Sequence, residues 1–416
     1  MSVAVGATWA IAALSTAGVI GRPMRWPEWI WAVAGAGLLI GLGLMPIHVA
    51  GTAIAKGLDV YLFLIGMMLL SETAREHGVF DWVAATAVNS ARRSTGRLFL
   101  LVYMTGIVVT TFMSNDATAV VLTPAVFAAA RKAKAEPLPL LLACAMIANA
   151  ASFVLPISNP ANLVLYDGRM PPLGQWLGSF ALPSVASIVV TFIMLRLVER
   201  RQIAGECACE VVRDRLSAGG KLALAGILLT AVALLLASGF DMQLGLPTAA
   251  AGIATGLGVS LLRRQSPVPL VRGISWGVLP LVAGLFVLVE ALDRTGVIAI
   301  VSNRLREMAR DPVQAAAIAG TILAFVSNLM NNLPAGLIAS TAVAQAHPPR
   351  IVTDSLLIGI DLGPNLSVTG SLATILWLQA IRREGEDVGF WRFLKVGVVV
   401  MPTALAAAIG ARLLMG

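Results

Sequence analysis

The sequence predicts an all-α integral membrane protein: about ten transmembrane helices plus two re-entrant hairpins, in two inverted-topology repeats with two discontinuous helices. Three observations predict it. Of 416 residues, 58% are hydrophobic and only 12% charged, where a soluble domain carries about a quarter charged residues. Apolar stretches long enough to cross the hydrocarbon, which takes ~20 residues, recur along the chain and leave no room for a sizeable soluble domain. Two further apolar stretches are too long for one crossing yet are broken by polar residues at their centres, and the breaks fall at matching places in the two halves.

Residues 3–20 lack a basic leader and end in Gly21-Arg22-Pro23 rather than a small-residue cleavage site, so they read as a retained first span. Spans follow at 29–45 and 59–76, then a short amphipathic segment at 79–92. The stretch 97–131 is broken by Ser114-Asn115-Asp116, as expected of two half-helices that enter and leave on one side. The span 138–165 is interrupted at Pro156–Asn162, and 175–197 closes the first half. The polar segment "ERRQIAGECACEVVRDRLSAGGK" (199–221) divides the chain near its midpoint. The second half reads as spans 219–238, 247–262 and 275–293, an amphipathic segment 297–309, a hairpin 312–344 broken at "SNLMNNLP", a span 351–380 interrupted at Asp361–Ser371, and a last span 391–414. The expected units are 1–200, a linker 201–218, and 219–416.

The halves resemble each other. "GMMLLSETAREHGV" (66–79) aligns without gaps on "GLFVLVEALDRTGV" (284–297), "FMSN" (112–115) on "FVSN" (325–328), and Pro156 on Pro364. The match of "FMSN" on "FVSN" puts Asp116 opposite Leu329 at the hairpin tips. Five spans per half is an odd number, which turns the second half upside down. Loop charge supports this: with both termini outside, all but eight of the 30 Lys and Arg residues (Lys56, Arg169, Arg294, Arg304, Arg306, Arg310, Arg350, Arg412) lie in the cytoplasm. The first hairpin then opens to the cytoplasm and the second to the outside.

Proline removes a backbone donor and clashes with the preceding turn, so amides and carbonyls near Pro156, Pro160 and Pro364 are freed, tolerable only where they line a cavity. Half-helix ends carry roughly half an elementary charge. Beside them stand Ser114 and Asn115 at the first tip, Ser327, Asn328, Asn331 and Asn332 at the second, Asn159 and Asn162 at one broken span, and Asn365, Ser367, Thr369, Gly370 and Ser371 at the other. These are the candidate solute-binding groups; the alternative is that the amides only tie helices together. Asp116 and Asp361 are the candidate proton carriers, because an ionised carboxylate at mid-helix costs about 2.5–3.5 kcal/mol on insertion scales, a cost that taking up a proton removes. Each could instead cap a half-helix N-terminus, where Asp is favoured.

Glu72 and Glu290 share one repeat position, each with an Arg within one turn (Arg75, Arg294), and read as salt-bridged scaffold. His48, His77 and His347 have no metal-like spacing, and no metal or cofactor is expected. Three cysteines are too few for a disulfide framework; Cys207 and Cys209 could capture a thiophilic metalloid or be incidental. The net charge of +8 falls on membrane loops, which gives no reason to expect a nucleic-acid partner. No GxxxxGK[ST] loop occurs, so energy has to come from an ion gradient or a separate ATPase subunit.

The pieces "SNDATAVVLTP" (114–124), "SNLMNNLP" (327–334) and "DLGPNLSVTGSLATILWL" (361–378) closely resemble the ArsB-type arsenite efflux permeases of the ion transporter superfamily, over nearly the whole chain. The resemblance implies a multi-pass exporter in a bacterial or archaeal inner membrane that exchanges arsenite and antimonite for protons, alone or with a partner ATPase. Dicarboxylate importers of the superfamily carry Ser-Asn-Thr at both tips. An acid at Asp116 would repel an anion, but it accepts hydrogen bonds from the hydroxyls of neutral As(OH)3. A sodium/proton antiporter is the alternative, and a passive channel lined by the same breaks is a further one. Alternating access is the expected mechanism; the sequence leaves the oligomeric state open.

Overall fold

The computed structural model describes residues 3–166, 170–207, 215–240 and 242–416, and every named element in them is helical. The first half contains α1 (Val3–Gly21), α2 (Glu28–Gly41), α3 (Ile47–Lys56), α4 (Leu58–Glu76), α5 (Val79–Ser90) and α6 (Thr95–Met113). A one-turn α7 (Asn115–Ala117), a π-helical turn Thr118–Leu122 and α8 (Thr123–Lys132) follow, then α9 (Pro137–Ala150), α10 (Pro160–Tyr166) and α11 (Leu173–Val198). The second half contains α12 (Ala218–Gly239), α13 (Gly245–Arg263), α14 (Val268–Gly273), α15 (Val278–Arg294), α16 (Val297–Met308), α17 (Pro312–Met330), α18 (Asn332–Ala346), α19 (Arg350–Leu362), α20 (Leu372–Arg383) and α21 (Phe390–Leu414).

Among the described residues, seven helices are each long and apolar enough to cross a membrane: α1, α6, α11, α12, α13, α17 and α21. The bent pair α3 and α4, which meet at 50°, makes up to eight. The remaining expected crossings are shorter or broken pieces. The span expected at 29–45 ends at Gly41, because Gly43 turns the chain with φ +69° and Pro46 then starts α3, a helix the hydropathy reading does not separate from its neighbours.

The halves interlock reciprocally. α4 of the first half packs on α13 of the second, and α15 of the second packs on α2 of the first. Both crossings are closed by glycines that the sequence aligns: a Cβ on Gly66 would lie 2.2 Å from the Thr248 carbonyl oxygen, and one on Gly284 would lie 2.7 Å from the Ala32 carbonyl carbon. Small residues let the backbones approach this closely, which is how helices associate where lipid removes the hydrophobic drive. The aligned Gly78 and Gly296 start α5 and α16 in the same left-handed conformation, φ +72° and +82°.

Each hairpin breaks at one residue of similar, sparsely populated backbone geometry: Ser114 (φ 111°, ψ 159°) after α6 and Asn331 (φ 73°, ψ 153°) after α17. This corrects the tip alignment. Ser327 and Asn328 lie within α17, and the geometric partner of Ser114 is Asn331, so Leu333 rather than Leu329 stands where Asp116 does. Leu329 is 78% exposed on the outer face of its helix, as suits a lipid-facing side chain. The discontinuous helices also correspond: short 3-10 turns at Pro156–Ser158 and Gly363–Leu366 follow α9 and α19, each with its proline in the first turn.

The described part of the linker is tied to the loop after α5, with the Thr95 N–H donating to the Gly205 carbonyl (3.2 Å) and the Cys207 N–H to the Arg93 carbonyl (3.1 Å). Cys207 is buried by this contact, and Cys209 lies outside the described residues.

Candidate functional site

The first hairpin tip is set by Ser114, whose backbone conformation stops α6 and restarts a helix one residue later. Ser114 holds the N-cap position of α7, so Asp116 is not a cap; it sits in the first turn, next to the π-helical turn. Such turns are frequent at functional sites. Asp116 and Ser114 line a cavity of about 70 Å3 together with Leu64, Met67, Met68, Ser71 and Glu72 of α4, Pro160 at the start of α10, Ile274 and Ser275, and Leu376 of α20. That volume holds a solute of a few heavy atoms. Among the described residues, no lysine, arginine or histidine lines it.

The cavity adjoins a vestibule of about 610 Å3, with which it shares Glu72, Val120, Val121, Gly273, Ser275 and Leu376. Arg75, Asp81, Arg383 and Glu384 line the vestibule further out. Of the expected pair of proton carriers, only Asp116 faces the cavity. Asp361 is fully buried at the C-terminal end of α19, which rules out the N-terminal capping role, and its Oδ1 accepts a hydrogen bond from Asn159 Nδ2 at 2.8 Å. Asn159 immediately precedes Pro160, which lines the Asp116 cavity, so the amide that holds the second acid lies one residue from that wall. Asp361 Oδ2 has no hydrogen-bond partner among the described residues.

The amides divide into two kinds. Asn162 Nδ2 donates to the freed carbonyls of Ser152 (2.9 Å), Leu155 (3.4 Å) and Pro156 (3.2 Å), and so satisfies the break after α9. Asn365 and Ser371 join a network around Asn149, a residue of α9 that lies outside the breaks and that the sequence reading passes over. Asn149 Nδ2 donates to Asn365 Oδ1 (3.0 Å) and Thr374 Oγ1 (3.3 Å), and its Oδ1 accepts from Ser371 Oγ (3.4 Å). These contacts tie α9 to α20 across the two halves. By contrast, the side-chain carbonyls of Asn115, Asn162 and Asn332 are buried without a partner among the described residues, although buried acceptors normally have donors.

The second hairpin builds its own cluster. Asn328 Nδ2 donates to the carbonyls of Ala324 (2.8 Å) and Gly363 (3.0 Å), its Oδ1 accepts from Ser367 Oγ (2.8 Å), and its main-chain carbonyl accepts from Thr369 Oγ1 (3.1 Å). Gly370 is required here, since a Cβ would stand 2.7 Å from Asn328 Oδ1. The Gly370 carbonyl accepts from the Asn332 N–H (2.9 Å), Asn331 Oδ1 caps α18 through the Leu333 N–H (3.3 Å), and Ser327 Oγ donates to its own helix at Ala324 (2.8 Å). Thr369 lines a separate opening of about 830 Å3 with Arg22, Trp26, Gln379 and Arg382. α20 contributes Leu376 to the Asp116 cavity and Gln379 to this second opening.

Besides Asn149, two features are not apparent from the sequence motifs. Glu72 is salt-bridged to Arg75 as expected, yet it also lines the Asp116 cavity, whereas Glu290 pairs with Lys56 (2.8 Å) and not with Arg294. A third acid, Asp354, is fully buried in α19, where it accepts from Arg412 Nε (2.9 Å) and Tyr166 OH (2.9 Å), joining α10, α19 and α21. Arg412, counted above as a loop cation, is thus an interior residue of α21. Its signal was available: Asp354 precedes Asp361 by two helical turns, on the same inward face.

Residues 11–364 match the model of a family described as citrate transporters, CitMHS. The chain is 26% identical over 361 residues to the arsenical pump membrane protein of Escherichia coli (strain K12), covering 83% of this chain and 84% of that one. It is also 26% identical over 403 residues to an uncharacterized transporter of Mycobacterium tuberculosis, covering 91% of each. Among solved structures, the YdaH transporter of Alcanivorax borkumensis superposes with a TM-score of 0.58 at 15% identity, over 88% of this chain and 86% of that one, a likeness of fold.

Proposed function

The chain belongs to the CitMHS family of membrane transporters, and from that premise we propose that it exports arsenite and antimonite, as neutral trihydroxides, in exchange for protons. The observation that carries this reading is the cavity at Asp116: a carboxylate and hydroxyls on its wall, no basic side chain, and unpartnered acceptors at the neighbouring breaks. A citrate anion calls for cationic or donor groups, and the Asp116 carboxylate faces the space instead. Uncharged As(OH)3 supplies three hydroxyl donors that such a wall accepts. The arsenical-pump relatives support the same substrate class.

In this reading Ser114, Asn115, Asn159 and Asn162 hold the solute near Asp116, and the cluster of Ser327, Asn328, Asn331, Asn332, Asn365, Thr369, Gly370 and Ser371 forms the equivalent surface of the other half. A proton on Asp116 or Asp361 and the solute compete for the same acceptors, so each displaces the other, which couples their fluxes. The neutral solute gains nothing from voltage; an inward proton supplies about 2.3 kcal/mol per 100 mV. The protein is placed in an inner membrane with both termini outside, working alone or with an ATPase subunit. Purified protein in liposomes carrying a pH-sensitive dye tests the reading. Outward gradients of arsenite and antimonite are expected to drive protons inward, and gradients of sodium or citrate are not. Proton movement with sodium alone would turn the assignment to the sodium/proton antiporter.

A further inference from the structure

Glu72 stands where the cavity meets the vestibule. Its side chain, on α4, is 9% exposed and lines both spaces. Arg75, one turn further on, donates to it from Nε at 2.8 Å and also from Nη2. The end of α14 closes in on it: a Cβ on Gly273, the last residue of that helix, would fall 1.8 Å from Glu72 Oε1, so the carboxylate occupies the space that only glycine leaves, and the loop that follows begins there. Ser275 of the same loop lines both spaces too. The other charged groups facing this neck are Asp116 inside the cavity and Arg75, Asp81, Arg383 and Glu384 in the vestibule. At the equivalent repeat position Glu290 pairs with Lys56 and lines neither space.

A scaffold salt bridge does not need to sit at the neck of a funnel, and Arg75 holds this carboxylate in the passage. A second acid, Asp116, lines the same cavity, whose volume of about 70 Å3 admits water between the two carboxyls. Resting on the exchange reading above, we propose that Glu72 is the acid through which protons pass between the vestibule and Asp116. The Asp116 carboxyl gives its proton to a bridging water, that water gives one to the Glu72 carboxylate, and Glu72 releases it to vestibule water. No other reactant is consumed.

The test compares wild type, Glu72→Gln and Glu72→Asp in liposomes by two assays: arsenite-driven proton flux across a range of pH, and arsenite–arsenite counterflow without a pH gradient, which moves no net proton. Glu72→Gln keeps the shape and can still accept from Arg75. It is expected to lower proton flux roughly tenfold or more and to alter its pH profile while counterflow persists, with Glu72→Asp restoring most of the flux. Equal loss in both assays, or loss in neither, overturns the relay and leaves the exchanger reading intact. A wild-type protein that carries arsenite without protons, or carries none, overturns the exchange reading and the relay with it.

Discussion

Three acids near the centre of this chain differ in their partners, and the partners separate their roles. Asp354 has its charge met by Arg412 and Tyr166 in the interior. Removing one member of a buried pair strands the other, at a typical cost of about 3–5 kcal/mol. Asp354→Ala and Arg412→Ala are each expected to lower the unfolding temperature in detergent, with the double variant well short of the sum of the two. Among the described residues Asp116 has no ion-pair partner, and it faces a cavity, so Asp116→Asn is expected to leave the unfolding temperature near that of wild type while suppressing transport; a comparable thermal loss would assign it to structure instead. Asp361 is held by a single amide. Asn159→Ala is expected to weaken coupling more than folding, read as fewer protons moved per arsenite.

At the level of elements, the helices meet through glycines whose neighbours are backbone atoms. Gly66→Leu and Gly284→Leu each force a side chain into a facing helix, and overpacking of this kind costs roughly 1–3 kcal/mol or more. Gly37→Leu on α2 meets nothing within 4 Å. The expected outcome is little folded protein from the first two by size-exclusion profile and a normal profile from the third. Most of these elements were legible because apolar length and Pro/Gly punctuation act locally. The helix ends, the 79–92 and 297–309 segments and both broken spans lie within a few residues of their expected bounds. The second hairpin tip was displaced because "FVSN" copies "FMSN" in letters, whereas the break depends on which residue takes a positive φ, and Asn331 does so four positions later. Glu72 at the cavity neck and Asn149 in the central network were illegible for another reason. Their partners, Gly273 and Asn365, lie some two hundred residues away, and only the packing of one half into the other brings them together.

On the scale of the whole molecule, the reciprocal packing of α4 on α13 and of α15 on α2 is what two copies of one unit related by a two-fold axis would give. With the loop-charge bias, it supports the proposal that the halves are inverted and both termini lie outside. Single cysteines placed near Met415 and near Arg93, in a background without the native three, are expected to react with impermeant reagent from opposite sides of the membrane. In that arrangement the vestibule between Arg75 and Arg383 faces the cytoplasm, and a proton descending from outside reaches Asp116 and leaves through the vestibule. Each unit of outside-acid pH gradient then adds about 1.4 kcal/mol per proton to export, so efflux rises as external pH falls at fixed internal pH. The most direct measurement is arsenite-driven proton uptake by liposomes bearing wild type or Asp116→Asn at equal density. The account predicts uptake by the wild type and roughly a tenfold or greater loss in the variant; undiminished uptake through Asp116→Asn would contradict it.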